Sequence, residues 1–103
     1  MKDDVFAMRI ARQINQCEAG ADRLLADTAI LLSEMATARL ETGAKFGTGQ
    51  RAIHRIVEAQ KALISAQADL MRAHTDLLKI GQERGDIMTE DCPPSKSGLS
   101  IAA

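Results

Sequence analysis

The sequence predicts an all-α chain: a long antiparallel helical hairpin, coiled-coil-like, that pairs with a second copy into a four-helix bundle. Three observations lead there. From Ala52 on, alanine recurs every seventh residue (Ala52, Ala59, Ala66, Ala73), beside parallel stripes of Ile56, Leu63, Leu70, Leu77 and of Val57, Ile64, Met71, Leu78. Stripes at that period define a long helix with a wide apolar face in a coiled-coil register. A second periodic stretch precedes it, and the glycine-rich segment GAKFGTG lies between the two.

The first helix is expected over residues 3–42. Asp3 and Asp4 suit its start, where carboxylates meet the positive end of the helix dipole. A seam then runs Ala7, Ile10, Ile14, Cys17, Ala21, Leu24, Thr28, Leu31, Met35, Ala38, Thr42, in steps of three and four, flanked by Ala11, Leu25 and Leu32. Gly20 is the weak point, costing about 1 kcal/mol relative to alanine in a helix interior.

Gly43 is a natural stop, and Gly47 and Gly49 give the chain freedom to reverse over a turn at 43–48. Thr48 is expected to cap the second helix, 49–84, and Phe46 at the tip either to plug the end of the bundle or to be an exposed contact. A turn centred near residue 45 or 46 sets Leu31 opposite Gln60, Thr28 opposite Leu63 and Leu24 opposite Gln67. It likewise sets Ala21 opposite Leu70, Cys17 opposite His74 and Ile14 opposite Leu77. Apart from Ile14 and Leu77, large residues then face small or polar ones. The hairpin therefore occupies 1–85, and 86–103, with two prolines and no period, reads as a flexible tail.

Pairing with a second chain follows from composition. In 103 residues, 46% are hydrophobic but only 2% aromatic, so one chain is short of the large side chains that dominate core energetics. The second helix is apolar at four of seven heptad positions, whereas a two-helix contact uses about two. A twofold dimer covers the surplus; another helical protein is the rival occupant. The expected interface and core residues are Leu24, Leu31, Ile56, Leu63, Leu70 and Leu77. If Leu63 is in the core, its replacement by alanine costs about 2–5 kcal/mol.

A net charge of −1, from 13 basic and 14 acidic residues, provides no footprint for nucleic acid or an anionic membrane. Without Trp or Tyr there is no stacking surface for single strands either. The longest apolar run, Ala29–Leu32, lies between Asp27 and Glu34, far from the roughly 20 apolar residues a spanning helix needs. The start, MKDDVF, lacks a signal-peptide pattern, and Cys17 and Cys92 read as reduced thiols. Together these predict a soluble, cytoplasmic protein.

Candidate chemistry is sparse. Gln60, Gln67 and His74 occupy successive positions of one seam; they either bind a ligand or, more plainly, fix register and chain number. Cys17 opposite His74 would give two such pairs in a dimer, a Cys2His2 set suited to zinc, but no closely spaced ligand motif supports it. The Glu-x-x-His signature of di-iron bundles is absent, because Arg51 and Met71 stand three residues before His54 and His74. GAKFGTG lacks the lysine placement and preceding strand of a phosphate loop. Ser33 and Ser65 have no assignable histidine partner, and helical hydroxyls of this kind face solvent or bond backward. No cofactor and no enzymatic activity are expected.

His54, followed by Arg55, lies on the polar face near the start of the second helix. An exposed histidine on a dimeric helical hairpin resembles the phosphoacceptor domains of two-component signalling, which implies phosphotransfer at His54. Those domains usually carry the histidine on the first helix beside an acidic residue; here it is on the second, beside arginine. The terminus GLSIAA resembles the Leu-Ala-Ala degradation tags recognised by bacterial unfoldases, which implies a bacterial setting and regulated abundance. The expected function is non-enzymatic: a homodimeric adaptor, scaffold or regulatory module acting by protein–protein contact. The alternatives are phosphotransfer through His54 and an amphipathic coat on a lipid or polymer granule.

Overall fold

The structure, a computed structural model, describes residues 2–84. These form two long helices and no strand: α1, Lys2–Thr42, and α2, Gln50–Arg84, joined by a short turn as a helical hairpin. The segment 86–103, with Cys92 and the terminal Ile-Ala-Ala, lies outside the described residues.

The turn is built by glycines in backbone conformations that side chains resist. Gly43 has φ 69 and ends α1, the left-handed stop that spares a Cβ clash. Thr42 Oγ1 donates back to the Ala38 carbonyl at 2.8 Å. Gly47, at φ 100, turns the chain again, and its carbonyl accepts the Gln50 N–H at 2.9 Å. The cap of α2 is Gly49 rather than Thr48: the Gly49 carbonyl accepts the first bond of the helix, from Ile53 N–H at 3.0 Å. Thr48 contributes its backbone N–H to the Lys45 carbonyl at 3.0 Å, closing the turn before α2 begins.

The chain divides into two compact units. Ala19–Ala68 contains the turn and the halves of α1 and α2 that flank it. Along α1 the half-buried residues are Gly20, Ala21, Leu25, Thr28, Leu32, Met35 and Arg39; along α2 they are Ile53, Ile56, Gln60, Leu63, Gln67 and Ala68. No residue of this unit is buried.

The other unit joins Met1–Glu18 to Asp69–Ala103. It holds the buried hydrophobic residues among those described, Ala7, Ala11 and Ile14. Leu77 packs against Ala7 and Ala11. Leu70 is half-buried and Gly81 buried. Alanine on α1 opposite leucine on α2 gives close contact but removes little apolar area.

On α2 the inward line is the expected one, through Ile56, Leu63 and Gln60, Gln67. On α1 it differs. Leu24 and Leu31 are 52% and 46% exposed, and Leu25 and Leu32 take the inward places. Both pairs are leucine, so periodicity alone weights them equally. Thr28 borders both pairs, but Asp22, three residues before Leu25, receives the Gln67 amide at 2.9 Å, a contact that goes with Leu25 and Leu32 turned toward α2.

Candidate functional site

In the unit that holds the turn, the polar members of α2's seam each reach a partner on α1. Gln60 Nε2 donates to Thr28 Oγ1 at 3.1 Å, and that hydroxyl in turn donates to the Leu25 carbonyl at 3.0 Å. Gln67 Nε2 donates to Asp22 Oδ1 at 2.9 Å. The expected register had set Leu31 and Leu24 opposite these glutamines; the partners they reach lie three and two residues earlier on α1, at Thr28 and Asp22. Among the described residues these amides do not line an enclosed site; they join the two helices.

His74, in the other unit, lies 2.8 Å from Glu18 through Nδ1 and Oε2. An ionised carboxylate only accepts, so Nδ1 carries the proton in that contact. Cys17, expected opposite His74, is exposed: Glu18, one residue on, holds the place. No group of three or more His, Cys, Asp or Glu that could hold a metal is assembled among the described residues.

At the turn, Phe46 is 96% exposed and does not plug the helix end. Its one neighbour of note is Arg39, whose guanidinium lies 5.5 Å from the ring centroid, within cation–π range. Arg39 Nη2 also donates to Gln50 Oε1 at 3.3 Å, while its buried Nε has no hydrogen-bond partner. Leu40 and Phe46 are both exposed.

His54 is exposed on the outer surface, with Nε2 3.8 Å from Glu58 Oε2 one turn later; Glu58 also pairs with Lys61 at 3.1 Å. The acidic neighbour missing at Arg55 is thus supplied by helical spacing. Sequence reasoning had not singled out Glu58, although the i, i+4 rule makes it legible.

The most extensive feature is apolar. In the unit Ala19–Ala68, Leu24, Ile30 and Leu31 on α1 and Val57 and Ile64 on α2 are all exposed. Of the residues expected at an interface or core, Ile56 and Leu63 lie half-buried between α1 and α2 in this unit, and Leu24 and Leu31 lie outside. Leu70 and Leu77 are half-buried in the other unit. No helix is long and apolar enough to cross a membrane among the residues described. No protein-family model, curated protein or solved structure matches the chain.

Proposed function

We propose that the chain is a non-enzymatic helical hairpin that self-associates into a four-helix bundle and acts through protein–protein contact. The observation that carries this reading is the unit Ala19–Ala68, which has no buried residue while Leu24 and Leu31 stand in solvent. Folding must offset about 1–2 kcal/mol of backbone entropy per residue, and half-covered leucines supply only part of the roughly 1.5–3 kcal/mol that full burial provides. A second apolar surface completes the core. Light scattering of the full-length chain across a concentration series tests this: a stable dimer is expected, and a monomer at every concentration removes the reading. A monomer that folds only when vesicles or polymer are added would favour the coat alternative.

A second reading, phosphotransfer at His54, is supported by the exposed imidazole with the Glu58 carboxylate at 3.8 Å. It predicts an acid-labile phosphate on the wild type and none on His54→Ala.

A further inference from the structure

The unit Ala19–Ala68 has two exposed sides, and they differ. Successive helical residues are turned by about 100°, so Leu24 and Leu31 lie to one side of α1's inward line (Leu25, Thr28, Leu32) and Asp22 to the other. On α2, Ala59 and Ala66 lie to one side of the line through Ile56, Gln60, Leu63 and Gln67, and Val57 and Ile64 to the other. Gln67 sits at the edge of its line next to Ile64, three residues apart, and it bonds to Asp22. Asp22 therefore shares a side with Val57 and Ile64. The opposite side collects leucines from α1 and alanines from α2, all exposed.

We propose that the second copy covers this leucine–alanine side, with α1 of each copy lying over α2 of the other and both turns at the same end. The proposal rests on the self-association proposed above. A twofold axis can run along the helices or across them. Along the helices, it lays α1 on the partner's α2; across them, it lays α1 on the partner's α1. The hydrogen bonds Thr28–Gln60, Asp22–Gln67 and Arg39–Gln50 set the levels within one hairpin. By those levels Leu24 is roughly at the height of Ala66, and Leu31 at that of Ala59. The first arrangement sets Leu24 on Ala66 of the partner subunit and Leu31 on Ala59 of the partner subunit. Large side chains then fill the places that small ones leave, as close packing requires. The second sets leucine on leucine and alanine on alanine, wedging one edge open and leaving a gap at the other.

Charge selects the same arrangement. Beyond the leucines, the outer edge of α1 carries Asp27 and Glu34; beyond the alanines, the outer edge of α2 carries Arg55, and all three are exposed. Placing α1 over the partner's α2 brings Glu34 alongside the partner subunit's Arg55, and the symmetry makes that contact twice. Placing α1 over α1 would bring two acidic edges together. The area also suffices. About 30 Å of paired helices, each roughly 10 Å wide, offers on the order of 600 Å² per copy, about 1,200 Å² in total, the lower bound for a stable interface.

The test is a charge exchange across the dimer of the full-length chain, with dissociation constants from sedimentation equilibrium and helicity checked by circular dichroism. Glu34→Arg and Arg55→Glu each weaken the dimer about tenfold, because like charges meet at both symmetric contacts. The double variant returns to within about threefold of wild type. Within one chain these two residues stand on opposite outer edges, so recovery reports contact between copies. Ala66→Leu also weakens the dimer, by overfilling the place of Leu24, while Ile64→Gln on the other side leaves it unchanged. A wild-type dimer whose double variant is no better than its singles, or which Ile64→Gln breaks, overturns this arrangement and leaves self-association standing. A wild-type monomer overturns both.

Discussion

The imidazole of His74 and the carboxylate of Glu18 meet at 2.8 Å across the unit formed by the N-terminal part of α1 and the C-terminal part of α2, with side chains only 17% and 32% exposed. A polar contact this sheltered is set by the pairing of the two helices rather than by either alone. Replacing Glu18 by alanine removes the carboxylate from a part-buried contact, a cost of about 1 kcal/mol, the usual net worth of one hydrogen bond. Urea unfolding measures it. A change below about 0.5 kcal/mol, the range of ordinary surface substitutions, would mean the contact contributes nothing.

Leu77 packs on Ala7 and Ala11, the best-covered place among the described residues. Leu77→Ala should cost about 2–3 kcal/mol, the lower part of the range for leucine truncation, since the site is half-buried. A loss of the same size from Leu24→Ala in a chain held monomeric by dilution would contradict the inward line assigned to α1.

Gly20 and Gly47 should respond to alanine with opposite signs. A Cβ at Gly20 would meet nothing within 4 Å, and its backbone is helical, so Gly20→Ala should stabilise by about 0.5–1 kcal/mol. Gly47 sits at φ 100, where alanine is strained by about 1–2 kcal/mol. Thermal unfolding of the two variants against wild type reads both, and equal signs would show that backbone geometry is not what separates them.

Phe46 stands in solvent with Arg39 over its ring. Phe46→Ala should change stability by less than about 0.5 kcal/mol. A loss of several kcal/mol at concentrations where the chain self-associates would show that the ring is covered in the assembly, as a plug at the bundle end would be.

The helical hairpin was legible in the sequence because it depends on local rules: seven-residue periods, glycine stops and a short linker. The polar seam on α2 was legible for the same reason, since Gln60, Gln67 and His74 repeat at the period of the leucines beside them. What it bonds to was not. Partners on α1 are chosen by distance across the pair, and Thr28, Asp22 and Glu18 follow no common spacing.

The sequence by itself determined that there are two long helices, where the chain reverses, and which residues of α2 turn inward, because one helix's periodicity is a property of that helix alone. Only the tertiary structure decided which leucines of α1 face α2. Leu24 and Leu25, like Leu31 and Leu32, are equivalent in hydrophobicity, and a rotation of α1 exchanges them at little apolar cost. The hydrogen bond from Gln67 to Asp22 goes with one side of that tie. In that orientation Leu25 and Leu32 turn inward and Leu24 and Leu31 stand in solvent.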